Sequence, residues 1–322
     1  MANVFNAYPA TRLLLIVLGL GLLAFYHLVE IPYKLQAGFF IASVLISGIP
    51  HGSLDHQIHR RTATLEGKKH SKWAFMGFYH KFLLIYAIMW LIHVEFAFLL
   101  FILLSAFHFG ELDCAWIKGK NRKWLLAIST IYGILLLSNM FLFHIHQILP
   151  VLSSFKDLNL MDIQVFENLF PYRLEIFCGS VVTSVGLLVG YQMRHGHSII
   201  RMAFAACQTL ILFSLVTQLP VFLGFGFYFS IWHSLLTFQS LKKYVYGSHT
   251  SWFELVRSGA GNSIAAILIV GVVVALAVNQ LSLEQLITAS LFGIAILTAP
   301  HMVVISGMFS KQFLANNKMA SA

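Results

Sequence analysis

Apolar residues fall in runs of about 20 along nearly the whole chain, broken by short clusters of lysine, arginine, histidine and proline. A run of that length is what an α-helix needs to cross a hydrocarbon layer of about 30 Å at about 1.5 Å per residue. The pattern predicts about ten such helices, near residues 12–29, 34–50, 73–92, 94–110, 124–143, 174–192, 199–218, 221–240, 260–278 and 284–300. The second and the last are short and stop at Pro50 and Pro300, residues that lack the backbone donor a helix interior uses. The first run ends before Glu30-Ile31-Pro32 without a small-residue cleavage site and reads as a retained helix, not a signal peptide.

Between 144 and 173 the pattern changes. Phe155, Leu158, Ile163, Phe166, Leu169 and Phe170 are interspersed with Asp157, Asp162 and Glu167, which predicts an interfacial amphipathic helix, either packed on its neighbours' ends or covering a lipid-side entrance. Ile49-Pro50-His51 and Ala299-Pro300-His301 echo one another, too briefly to indicate duplication. The chain 1–322 therefore reads as one all-α transmembrane domain, a polytopic helical bundle.

Composition fixes the solvent. With 58% hydrophobic residues, 10% charged ones and a mean hydropathy of +0.79, a soluble fold would expose large apolar patches. All but Lys34, Lys156 and Arg173 of the 21 lysines and arginines fall on one side of a ten-span topology. That bias predicts cytoplasmic termini and a multi-pass protein of the inner (plasma) membrane. The net charge of +9 then belongs to topology and to anionic lipid. Nothing points to nucleic acid, since the basic loops carry no interleaved aromatics. Cys114, Cys178 and Cys207 have no metal-site spacing.

The 15 histidines sort by depth along these spans. His51, His108, His233 and His301 each lie near the same end of a helix running in the same direction, with His56 and His80 nearby. Ionisable groups at membrane depth are costly and pair, bind metal or line a pathway. Neutral imidazole is a strong ligand for first-row metals, so four converging histidines predict a metal site. Any one of them alone would read as a hydrogen-bonded core histidine. Asp55 is one turn after His51 and, in a helix continuing past Gly52, accepts its second N–H; a cap or a pair with Arg60 is the alternative. In Phe107-His108-Phe109-Gly110-Glu111-Leu112-Asp113, Glu111 is a second candidate support for the ligands, whereas Asp113 reads as a solvated residue. Aromatics around His233, in Tyr228-Phe229-Ser230-Ile231-Trp232-His233-Ser234, suit a long apolar polyene.

Gly48-Ile49-Pro50-His51-Gly52-Ser53-Leu54-Asp55-His56, the two segments just quoted and Ala299-Pro300-His301-Met302-Val303 resemble the motifs of the Brp/Blh family, bacterial and archaeal β-carotene 15,15'-dioxygenases. The likeness spreads from about residue 46 to 306. It implies an integral membrane enzyme in which histidines hold ferrous iron, Fe(2+), and dioxygen cleaves the central double bond of β-carotene or a related carotenoid into retinal. A polyene entering from the lipid bilayer and a rhodopsin-type acceptor of the retinal go with that implication. His51, His108 and His233 match the family's iron ligands. The family pattern His-Ser-x-x-His meets a departure, because His233-Ser234-Leu235-Leu236 is followed by Thr237. His301 or His56 then completes the site, or three ligands suffice. Two other classes fit less of the pattern: a non-catalytic carotenoid or retinal carrier, and a di-iron hydroxylase, for which only His56-Gln57-Ile58-His59 has the required style. No nucleotide motif or serine elbow suggests another reaction.

Overall fold

The computed structural model describes residues 4–320 except 118, 120, 154–160, 248–250, 278 and 279. Among these residues there are only helices and their connections. They are α1 (Val4–Leu28), α2 (Tyr33–Ser43), α3 (Ile49–Gly52), α4 (Asp55–Leu65), α5 (Lys72–Ile92), α6 (Val94–Cys114), α7 (Arg122–Phe143), α8 (Ile145–Leu152), α9 (Met161–Leu169), α10 (Arg173–Arg194), α11 (Ile199–Gln218), α12 (Val221–Gly226), α13 (Ser234–Val245), α14 (Trp252–Ala277) and α15 (Leu283–Ala320). Two π-helical turns, Val44–Gly48 and Phe227–His233, join α2 to α3 and α12 to α13.

Nine helices among the described residues are long and apolar enough to cross a membrane. The remaining expected span, 260–278, falls on α14, apart from residue 278, which lies outside the described residues. Local chemistry explains where several helices begin. Ser71 Oγ accepts from Ala74 N (3.3 Å) and Asn121 Oδ1 from Trp124 N (3.2 Å), capping α5 and α7. Ser251 with Glu254 and Ser282 with Gln285 form reciprocal capping boxes that start α14 and α15. The helix α4 ends at Gly67, whose φ of 68° is the left-handed conformation glycine adopts without strain.

Neither proline stops its helix. After the π-turn the chain stays helical through Pro50, which lies in the first turn of α3, where a missing N–H costs little. Pro300 lies inside the 38-residue α15; in a packed bundle the neighbouring helices support the interrupted ladder. His301 thus sits within a helical run, whereas His51 lies in the last turn before the interruption at Ser53-Leu54.

The segment 144–173 forms two short helices, α8 and α9. Phe155, Lys156, Asp157 and Leu158 lie outside the described residues, and α9 carries the remainder of the expected amphipathic pattern. His144 is buried and its Nε2 lies 3.0 Å from Val216 O. Burial lowers its pKa, so the imidazole there is held neutral.

The crossing of α6 and α7 is the tightest in the bundle. A Cβ on Gly110 would fall 1.8 Å from Ser129 O, and one on Gly133 1.9 Å from Ala106 O. Ala106/Gly110 on α6 and Ser129/Gly133 on α7 are small-xxx-small pairs that let the two backbones touch.

At the opposite end of α4, Glu66 pairs with Lys311 (2.6 Å) and Lys68 (2.7 Å), tying α4 to α15. These cations hold its carboxyl below its ordinary 4.5, at about 2. A carboxyl depressed on folding contributes stability that is present above about 4.5 and lost as the pH falls toward about 2. Glu66→Gln is expected to flatten the acid limb of the unfolding profile in that window. At neutral pH it should lower the unfolding temperature only slightly, because the pair is solvent-screened. Thermal unfolding in detergent between pH 2 and 7 measures both.

Candidate metal centre

Both π-turns sit where they place a histidine. A π-turn bonds i to i+5 and is wider than an α-turn, a geometry that recurs at functional sites. The turn Val44–Gly48 precedes His51 and the turn Phe227–His233 ends on His233. They pack directly on one another. Ser47 Oγ donates to Ser230 O at 2.8 Å, and a Cβ on Gly48 would stand 2.7 Å from the Phe229 ring. Glycine at 48 is what lets the second turn close on the first.

The helices α6 and α15 bring His108 and His301 to the same place. One ring nitrogen from each of His51, His108 and His301 lies within 4.8 Å of the other two. His233 flanks them, with ring centroids 4.7 Å from His108 and 5.5 Å from His51. All four are 5% exposed or less.

The unpaired nitrogens face inward. His108 Nε2, His233 Nδ1 and His301 Nε2 are buried without a hydrogen-bond partner. A buried polar atom left unsatisfied costs about 1–3 kcal/mol, so these nitrogens call for a ligand of some kind, and a cation is one that would take their lone pairs. His51 spends Nδ1 on Ser47 O (3.2 Å), which leaves Nε2 for the centre. The three imidazoles of His51, His108 and His301 could hold a first-row metal ion after modest side-chain rotations, with His233 standing beside them as a further candidate ligand.

The carboxylates behave differently from expectation. Asp55 does not meet His51, because the helix is interrupted at Ser53-Leu54 and the one-turn relation is lost. It accepts instead from His301 Nδ1, at 2.8 and 3.0 Å, and from Tyr79 Oη at 2.9 Å. That bond fixes the His301 tautomer and aims the Nε2 lone pair inward, the usual support of a ligating histidine. Asp55→Ala is expected to weaken metal affinity about 10–100-fold, measured by competition with a chromophoric chelator.

Glu111 stands off the cluster, with Oε1 2.7 Å from Arg122, which also reaches Ser306 O at 3.4 Å. This ion pair joins α6, α7 and α15 below the histidines. Asp113 is no solvated residue. It is buried and accepts from Tyr228 Oη and Trp232 Nε1, each at 2.7 Å. Arg12, counted in the sequence among the cytoplasmic-side cations, is also fully buried there; it donates to Leu112 O (2.9 Å) and Gln208 Oε1 (3.1 Å). The network locks the end of α6 to the π-turn that carries His233 and so sets the His108–His233 distance. An arginine at the start of an apolar run and an acid one turn beyond a histidine were the available signals for it.

His56 is not in the cluster. Its Nε2 lies 3.0 Å from His70 Nε2, and His70 Nδ1 lies 3.2 Å from His59 Nδ1, a separate chain of imidazoles against Phe75. His80 bonds Met76 O at 2.7 Å on its own helix. Thr237 is buried one turn beyond His233, its Oγ1 3.5 Å from His233 Nε2.

A small apolar cavity lies beside the cluster. Its walls include Phe40, Phe101, Ser105, Phe109, Phe225 and Ile287. The segments that supply the four histidines also wall the cavity. On α6, Phe101 is two turns from His108; on α15, Ile287 is four turns from His301, so each pair shares a helix face. Phe109 belongs to both sites, with its ring centroid 4.8 Å from that of His233.

Fold and site together define a polytopic helical membrane protein with a buried histidine cluster beside a hydrocarbon-lined cavity. Comparison with known proteins agrees: a family model described as beta-carotene 15,15'-dioxygenase matches residues 42–309, which takes in all four histidines and the cavity walls except Phe40, and the chain belongs to that family. Membership implies a carotenoid substrate and dioxygenase-type cleavage in general terms. No curated protein and no solved structure matches the chain.

Proposed function

We propose that this protein cleaves the central double bond of β-carotene, or of a closely related carotenoid, with dioxygen to give retinal, using ferrous iron held by His51, His108, His301 and His233. The observation that carries the proposal is Phe109, one ring shared by the histidine cluster and the apolar cavity. A hydrocarbon bound in that cavity is separated from the histidines by aromatic rings, with no charged residue among the cavity's walls.

Ferrous iron, when bound, supplies the activation of dioxygen that cleaving a carbon–carbon double bond requires. The protein's own groups do the rest. Asp55 keeps the His301 proton on Nδ1, the two π-turns and the Asp113 network hold His51, His108 and His233 at their spacing, and the aromatic walls exclude water. One C=C bond and one O₂ become two C=O groups, so no proton or external electron is consumed. The polyene enters from the bilayer, and the termini lie on the cytoplasmic side of the plasma membrane. A membrane-embedded acceptor such as a rhodopsin-type apoprotein suits a product that leaves by the same route.

The test is expression in a β-carotene-producing bacterial host, followed by pigment extraction and metal analysis. Retinal, with near one iron per chain, supports the proposal. Unchanged carotene at good expression with carotene retained by the purified protein would instead mark a carrier. Thr237→His tests whether the site is short of a ligand. Position 237 is fully buried and its side chain already meets His233, so the larger ring is expected to crowd that histidine and lower the retinal yield severalfold. A rise in yield would mean an incomplete ligand set.

A further inference from the structure

Two phenyl rings, tilted by 56° to one another, stand between the cavity and the histidines. Phe109 forms the cavity wall at the histidine end. Behind it stands Phe229, whose ring centroid is 6.1 Å from Phe109 and 5.9 Å from His51. Phe225, Phe229 and His233 follow one another at four-residue intervals on the π-turn and its approach. Their rings are nearly parallel, at 18° between the first pair and 12° between the second.

This ladder runs from the cavity, which Phe225 lines, to the cluster, which His233 completes. Gly48 presses against Phe229 from the other π-turn, so that ring is held from behind. Tyr228 meets Phe109 edge-on at 5.3 Å, and its hydroxyl is anchored on Asp113. Phe109 is therefore the ring with room to turn, since its free face looks into the cavity.

We propose that Phe109, backed by Phe229, is a specificity-determining slit that fixes which double bond of a polyene meets the histidine cluster. This rests on the carotenoid-cleaving function proposed above. Phe109 and Phe229 are tilted by 56°, so a flat conjugated chain passes only where the Phe109 ring turns aside toward the cavity, keeping its π-face against an aromatic wall. A methyl-substituted six-membered end ring is thicker and stays in the cavity. The separation between the retained end ring and the histidines then measures off the bond to be cut. From Phe98 to Phe109, both on the cavity wall, α6 advances on the order of 16 Å, a reach suited to one end ring and its half of the polyene. The slit thus turns a cavity whose walls are apolar apart from Ser105 and Gln147 into a ruler.

Removing the ring should blur the ruler. In Phe109→Ala the end ring can advance toward the histidines, and bonds nearer that ring come into register. The expected products are retinal plus pairs of unequal aldehydes, the unequal pairs rising at least severalfold over the wild-type chain, resolved by chromatography and mass spectrometry. Phe229→Leu, a milder change, should shift the products in the same direction and is read on the same criterion if Phe109→Ala fails to accumulate. A second readout needs no turnover: His51→Ala with Phe109→Ala, purified from the carotene-producing host, should retain carotene at least as well as His51→Ala alone, with an altered absorption of the bound pigment. A wild-type chain that cleaves no carotenoid overturns the function and this inference with it. A wild-type chain that makes retinal, while Phe109→Ala or Phe229→Leu accumulates and yields only retinal, overturns the slit alone.

Discussion

His51→Ala and His108→Ala should each abolish retinal formation in a carotene-producing host, a loss of at least about 100-fold, and should lower bound metal in step. Both side chains present a nitrogen to the same point, within 4.8 Å of each other and of His301. Supporting residues of a metal ligand are worth about 10–100-fold in affinity, and removing a ligand itself costs more. The alanine variants also delete a buried imidazole without leaving a charge behind, so the fold should persist. Metal content per chain and pigment analysis of the same membranes separate loss of the site from loss of the protein. Retinal at the wild-type level from both variants would dismiss the cluster as the catalytic centre.

Gly110→Ala should be as damaging, through packing alone. Its new methyl carbon would have to occupy a point 1.8 Å from Ser129 O, and the obstacle is backbone that cannot rotate away. The helices α6 and α7 would have to separate by more than an ångström, opening the contact that positions His108. The expected result is a bundle destabilised by about 3 kcal/mol or more, in the range of severe overpacking. Loss of folded protein on size-exclusion chromatography in mild detergent would register it. Gly133→Ala, on the facing helix, should behave alike, because its Cβ would meet Ala106 O at 1.9 Å. Alanine at Gly77, where nothing lies within 4 Å, is the control that should be tolerated.

The span pattern and the gathering of four histidines were legible in the sequence because both follow from strong constraints. A membrane helix must be about 20 residues long and apolar, and imidazoles in such helices are too costly to scatter. What the sequence concealed depends on small departures from helical phase. Two π-turns leave no mark on an apolar pattern, yet they determine where His51 and His233 point. The interruption at Ser53-Leu54 handed Asp55 to His301, a partner 246 residues away. Pro50 and Pro300 looked like stops because local propensity says so, and the surrounding bundle overrode it. Arg12 and Asp113 looked like solvated ends of spans, but each found buried partners on other helices. The small-xxx-small pairs around Gly110 and Gly133 were open to view and need a partner helix before they acquire meaning.

The burial of the histidine cluster has a consequence for how the proposed iron would be acquired. With each ring 5% exposed or less, an ion cannot exchange with the cytosol unless helices part. Left to equilibrium, four imidazoles would prefer copper over iron by the usual order of stability. A buried site would escape that competition by timing: an ion taken up while the helices assemble would leave only as slowly as they part. Occupancy then records the conditions of biosynthesis, so protein matured in iron-poor cells should stay unrepaired by iron added afterwards.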